Sequence, residues 1–162
     1  MNKHLKLVRE FNDTFLLSQT EPYAYTHLSD MDIVKYQALL MEEGSGVLKA
    51  LRTSEMVDIL ASLVILAYCA LDAIARQGGE VSDSSVTWKH DGFVVSIMRI
   101  LSEKINHCTS GSTEDYSAVY CLCAHLARCF INADFDKAFS AIHNGKMSKL
   151  AKAPDLSECL FE

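Results

Sequence analysis

Residues 36–51, YQALLMEEGSGVLKAL, and residues 56–75, MVDILASLVILAYCALDAIA, decide the fold. In the first stretch Tyr36, Leu39, Leu40, Val47 and Leu51 recur at helical spacing. The second stretch is apolar almost all round its middle. Such a helix has to be central, covered by other helices or by a second subunit. Two long helices joined by a few residues form an antiparallel pair, and the chain around them supplies the cover.

Working outward, Lys3 to Phe15 reads as a first helix, with Leu7, Val8, Phe11 and Phe15 on one face. Pro22 marks a loop. Ser29 is placed to cap the second helix, with Asp30 and Asp32 in its first turn, where the helix dipole favours negative charge. That helix reaches about Leu51 although Gly44 and Gly46 weaken it by about 1 kcal/mol each, which predicts something packed close against them. Ser54 is expected to cap the third helix, which Gly78-Gly79 ends near Gln77. Residues 80–91, EVSDSSVTWKHD, read as an irregular connection carrying Trp88. Further helices are expected from about Gly92 to His107, from Thr113 to about Ile131, and from Phe135 to His143, with Asp134 as cap and Asn144-Gly145 as stop. No segment alternates like a strand. The expected class is all-α: an antiparallel bundle of about six helices in a single domain over residues 1–162.

Apolar residues make up 49% and charged residues 22% of the chain, as in a globular protein. The net charge of -6 argues against a nucleic-acid polymer as partner, because phosphate contacts need clustered Lys and Arg. The longest apolar run, Ile59 to Leu71, is short of the roughly 20 residues that cross a bilayer and suits a buried helix, so no membrane is expected. The opening residues show no secretory signal, and six cysteines suit reduced thiols in the cytoplasm.

The chemistry-bearing feature is the doublet Glu42-Glu43. At about 100° per residue, positions 42, 43 and 46 share one arc about a turn long. Carboxylates there would gather oxygens for a hard cation such as Mg²⁺. On the third helix, Glu55, Asp58, Ser62, Ile65, Cys69 and Asp72 form one stripe with acids at both ends. An isolated acidic doublet is ordinarily a solvated surface feature. Cys121, His125 and Cys129 share one face of the fifth helix, and a thiol-and-imidazole stripe at a helix interface explains them better than zinc. Trp88 and Tyr68 offer rings for stacking a base, although packing is their commoner use.

The stretch LLMEEGSGVLKAL, followed by an apolar helix containing LAY, resembles the all-α NTP pyrophosphatases of the MazG-like superfamily. Their motifs are E-E-x-x-E on one helix and E-x-x-D on the next. AFSAIHNGKMSKL resembles the V-H-x-x-N-M-S-K-L segment of the branch that includes phosphoribosyl-ATP pyrophosphohydrolase-like proteins, and VREFNDTF resembles its opening helix. Residues 80–131 look like an insertion relative to short members. The resemblance implies a Mg²⁺-dependent (or Mn²⁺-dependent) enzyme that cleaves a nucleoside triphosphate to monophosphate and pyrophosphate, assembled as a homodimer or homotetramer. It implies Glu42 and Glu43 as metal ligands, Glu43 also as the catalytic carboxylate, and, in the register that uses Glu55-x-x-Asp58, Asp58 as a further ligand; His143, Lys146 and Lys149 read either as a basic cluster for phosphate or as ordinary solvated charges of an exposed tail. The chain also departs from the pattern. Gly46 stands where the third acid belongs. If LAY matches the family's L-L-Y, Ser62 and Ile65 stand where E-x-x-D belongs; a second register puts that motif on Glu55-x-x-Asp58. Lys146 stands where Asn is usual. These departures imply a weakened enzyme or, as the alternative, an inactive helical scaffold that binds a nucleotide or a partner subunit.

Overall fold

The computed structural model describes residues 1–15, 27–89, 91–148 and 154–161. The chain is all-α. Among the described residues the helices are α1 (Lys3–Phe15), α2 (Asp30–Thr53), α3 (Met56–Arg76), α4 (Val94–His107), α5 (Thr113–Cys129) and α6 (Phe135–Met147), with short 3-10 turns at Cys108–Ser110 and Ser157–Cys159.

The start of α2 follows from its sequence. The Ser29 hydroxyl accepts the Asp32 backbone N–H at 3.1 Å, and the Asp32 carboxylate accepts the Ser29 N–H at 3.4 Å. This reciprocal box satisfies two backbone donors at the helix end. Ser112 and Asp134 cap α5 and α6 by the same chemistry. Ser54 does not cap α3. It ends α2 in the left-handed conformation, φ 59°, and Glu55 stands at the N-cap of α3 without a side-chain bond. The connection is so short that its one turning residue is needed to reverse the chain.

The expected stop at Asn144-Gly145 is also overridden, and α6 runs on to Met147. A glycine costs a helix interior about 1 kcal/mol. Packing of α6 against α1 and α3 offsets that, and the Asn144 carbonyl accepts the Ser148 N–H at 3.0 Å. The extra turn carries the exposed Lys146, whose ammonium lies over the Tyr68 and Phe11 rings.

α3 is the central element. Leu60, Val64, Leu66, Ala67, Ala70, Leu71 and Ile74 are fully buried, and α1, α2, α5 and α6 all pack on it. At 21 residues it is long and apolar enough to cross a membrane by length and composition alone, which the apolar run Ile59–Leu71 by itself did not suggest. Here its apolar surface is spent on the bundle core. α5 contributes Tyr116, Val119, Leu122, Cys123 and Leu126 to the same core, and α4 lies against α2 and α5. Between α3 and α4 the described residues form no helix or strand, and Trp88 rests edge-on against His125 and Phe130. The C-terminal segment folds back so that Ala133 and Leu160 pair.

Candidate functional site

A group of polar side chains lies where α1, α2 and α6 pack against α3. α2 and α3 are antiparallel, which sets the level of every side chain between them. Glu43 lies ten residues before the end of α2, while Asp58 lies in the first turn of α3. At about 1.5 Å per residue the two sit about 12 Å apart along the helix axes, so Asp58 does not join the doublet. Asp58 is exposed, and its backbone carbonyl accepts the Ser62 hydroxyl at 2.9 Å. Of the doublet itself, Glu42 is exposed and Glu43 is half-buried. Burial and the adjacent Glu42 push the Glu43 carboxyl above its ordinary range, and Lys146 pulls it back.

The glycines differ. A Cβ on Gly44 would come within 2.6 Å of the Ile105 side chain from α4, so here a neighbour does press close. A Cβ on Gly46 would meet nothing within 4 Å. Open space stands where the third acid of E-E-x-x-E would project.

The residues of α3 in this group are Tyr68, Cys69 and Asp72. Asp72 accepts Asn12 Nδ2 on one oxygen at 2.6 Å and the Tyr36 hydroxyl on the other at 2.9 Å. The Cys69 thiol is pushed up to about 12, chiefly by burial and then by the charges of Asp72 and Glu43. Cys69-x-x-Asp72 therefore has the spacing of E-x-x-D, with one acid, two turns beyond the position where the LAY register puts it. Glu10, Asn12, Tyr36, Cys69 and Asp72 were not among the expected site residues. The stripe Ser62, Ile65, Cys69, Asp72 was the available signal for two of them, but only the packed helices show that Asp72 meets Asn12 and Tyr36.

From α6, His143 is buried, with Nδ1 3.2 Å from the Tyr68 hydroxyl and Nε2 3.3 Å from Glu10 Oε2. It is a link in a Glu10–His143–Tyr68 chain, not an open phosphate contact. The Lys146 ammonium stands 4.9 Å from the Tyr68 ring centroid and 5.6 Å from that of Phe11. Lys149 lies outside the described residues. His143 and Lys146 thus share Tyr68 as a neighbour, Glu43 feels the charge of Lys146, and Asp58 stands apart from all three.

These side chains offer a Mg²⁺ or Mn²⁺ ion few oxygens. Mg²⁺ is ordinarily held by one or two carboxylates, with waters completing a near-octahedral shell. Both Asp72 oxygens already accept hydrogen bonds, Cys69 holds its proton, Glu43 is biased toward protonation, and a lysine stands nearby. Among the described residues no three His, Cys, Asp or Glu side chains are grouped to hold a metal ion. That includes Cys121, His125 and Cys129. There the Cys121 thiol faces the Ser82 carbonyl, and Cys129 lies 3.9 Å from His125 Nδ1 on the wall of a separate cavity of about 550 Å³.

A second surface feature lies on α2 and α4. Met31, Val34 and Met41 of α2 and Val94, Val95 and Met98 of α4 are exposed. Between the two helices runs a groove of about 400 Å³, floored by Gly44, Leu48, Leu101 and Ile105.

In comparisons with known proteins, no family model, no curated protein and no solved structure matches this chain.

Proposed function

We propose that this protein is a non-catalytic helical scaffold, related in plan to the all-α NTP pyrophosphatases, which works as a binding or assembly subunit. The observation that carries this reading is the state of Asp72. It lies about 9 Å along the helix axes from Glu43, level with Tyr36, and both its oxygens accept hydrogen bonds that tie α3 to α1 and α2. A carboxylate committed in this way stabilises the bundle, and each of its oxygens keeps only part of its acceptor capacity for a metal or a water. The partner is a second copy of the chain, as a homodimer or homotetramer. Exposed methionines and valines gathered on one helix pair support this, since large apolar patches on a folded chain mark contact surfaces. Six free cysteines suit the cytoplasm.

The competing reading, Mg²⁺-dependent hydrolysis of a nucleoside triphosphate to monophosphate and pyrophosphate, draws on Glu43. A half-buried carboxyl that burial and Glu42 push above its ordinary range is a stronger base than a free carboxylate. Pyrophosphate release from a panel of NTPs and dNTPs, with Mg²⁺ or Mn²⁺, separates the two. The scaffold reading expects no release. Release that disappears in Glu43→Gln would establish the enzyme. Sedimentation of the wild type and of Val95→Glu tests the assembly: the wild type should run as a dimer or larger, and the variant as a monomer.

A further inference from the structure

We propose that Cys129 and His125 form a thiol–imidazole pair that exchanges disulfides with a small zwitterionic disulfide, one whose halves each carry an ammonium and a carboxylate, seated in the cavity between α1, α5 and the connection after α3. Cys129 Sγ lies 3.9 Å from His125 Nδ1, one turn apart on α5. Residues four apart on a helix face the same way, and both line the cavity of about 550 Å³. That volume is ordinary for a small-molecule site. Cys129 is exposed, whereas Cys121, on the same wall, is half-buried and its thiol faces the Ser82 carbonyl at 3.8 Å. Trp88 sets its ring edge-on to the His125 ring, with centroids 6.0 Å apart and planes at 83°, which limits how the imidazole can turn. An accessible thiol with a base at its side is the arrangement that nucleophilic chemistry uses.

The walls supply both signs of charge. Lys3 of α1 and Arg128 of α5 line the cavity and share one carboxylate, Asp136 of α6. The Arg128 contact is loose, 3.6 Å, and leaves guanidinium donors for a ligand carboxylate. His4 lines the cavity too, but burial lowers it to about 4, so it adds no charge at neutral pH. Asp83, exposed on the connection, lines the same cavity and answers an ammonium. A ligand with both charges on each half matches this set; a purely cationic or anionic one matches half of it. In the exchange, the Cys129 thiol passes its proton to His125 Nδ1, and the thiolate sulfur attacks one sulfur of the disulfide. The ligand's S–S bond breaks as the new S–S bond to Cys129 forms. The departing half leaves as a thiolate, takes the proton from the imidazolium and is released as a thiol. One disulfide is lost and one is made, so no further oxidant is needed. An excess of the same thiol reverses the step.

The inference does not rest on the scaffold reading, since neither Asp72 nor Glu43 takes part. It is tested on the full, reduced chain with four small disulfides at equal concentration: cystine (zwitterionic), cystamine (cationic), dithiodiglycolate (anionic) and 2-hydroxyethyl disulfide (uncharged). Peptide mapping locates the mixed disulfide, and each rate is divided by that of the same disulfide with a small model thiol. The first adduct is expected on Cys129, with cystine about fivefold or more ahead of the uncharged disulfide, as two exposed ion pairs allow. Asp83→Asn should narrow the lead of cystine over the anionic disulfide, and Arg128→Gln its lead over the cationic one. His125→Gln should slow the exchange about tenfold at about pH 7 and hardly at about pH 9.5, where a thiol ionises without help. A first adduct on another cysteine, normalised rates that do not distinguish the four disulfides, or a folded His125→Gln protein as fast as wild type at neutral pH would overturn the inference. Should His125→Gln not fold, the four disulfides on the wild type decide it. Pyrophosphate release bears on the scaffold reading alone.

Discussion

Replacing Asp72 by alanine should destabilise the fold far more than a half-exposed acid ordinarily would. The Asp72 carboxylate accepts two hydrogen bonds, from Asn12 Nδ2 at 2.6 Å and from the Tyr36 hydroxyl at 2.9 Å. Both donors are closed off from water, Asn12 at 4% and Tyr36 at 3% exposure. A hydrogen bond to a charged group is worth about 1.5–3 kcal/mol, and a buried donor left without a partner costs a similar amount. Two such bonds give about 3–6 kcal/mol. Asp72 is itself only half-buried, so water can enter the space left by its carboxylate, and the lower end, about 3–4 kcal/mol, is expected for Asp72→Ala. At about 2–4 °C per kcal/mol for a chain of this size, Tm should fall by roughly 6–16 °C. Asp72→Asn keeps one acceptor oxygen and turns an NH₂ toward the other donor, so about 1–2 kcal/mol is expected.

Urea denaturation measures these differences, and an unchanged m-value shows that stability alone has changed. Tyr36→Phe completes a double-mutant cycle with Asp72→Ala, and a coupling of at least about 1 kcal/mol is expected from the direct bond. If Asp72→Ala stays within about 0.5 kcal/mol of wild type, or the two changes simply add, then Asp72 does not tie the helices together. Its carboxylate would be free for a ligand, and the scaffold reading would lose its main support.

The two glycines of α2 should part company: Gly46→Ala gains about 1 kcal/mol because its Cβ enters open space, whereas Gly44→Ala gives back that gain by pressing on Ile105, and chemical denaturation of both variants checks the contrast. Stability should fall on acidification between about pH 6.5 and pH 4, by up to about 3 kcal/mol. Burial lowers His4 from 6.5 to about 4 despite Asp136, so in this window the unfolded chain takes a proton that the folded chain refuses. Burial works to raise Asp136, but the Lys3 hydrogen bond and the charges of His4, Lys3 and Arg128 hold it below 3.8, so its own contribution is lost only at lower pH. His4→Gln should flatten the fall, and an unchanged pH profile in that variant would contradict the assignment. In native protein one thiol, Cys129, should react rapidly with a thiol reagent. Cys108, Cys123 and Cys159 are buried, Cys69 and Cys121 are half-buried, and burial raises all five thiols, so they should react slowly until the chain unfolds, as mass spectrometry of the labelled protein would show.

The helices were legible in the sequence because their causes are local. The cap at Ser29 with acids in the turn after it, the cap at Asp134, and the i, i+3, i+4 spacing of the helices all act within a turn or two of chain; the cap at Ser112 was not read from the sequence. The apolar girth of residues 56–75 likewise predicted the central helix, since no other position in a bundle would cover it. Where local signals failed, a longer-range term had won. Ser54 looked like a cap but was taken by the reversal between α2 and α3, and Asn144-Gly145 looked like a stop but was held in α6 by packing. The acidic group depended on terms of the second kind. Sequence spacing shows that Glu42 and Glu43 share a face and that Asp58, Ser62, Ile65, Cys69 and Asp72 share another. It does not show which of the second set meets the first, because that level is set by the connection between the helices and by how their side chains interlock. Nor does it show that Asn12 and Tyr36 claim the oxygens of Asp72, or that Lys146 lies over Tyr68 and Phe11. Periodicity fixes direction around one helix; the pairing of charges and donors across four helices is decided only when they pack.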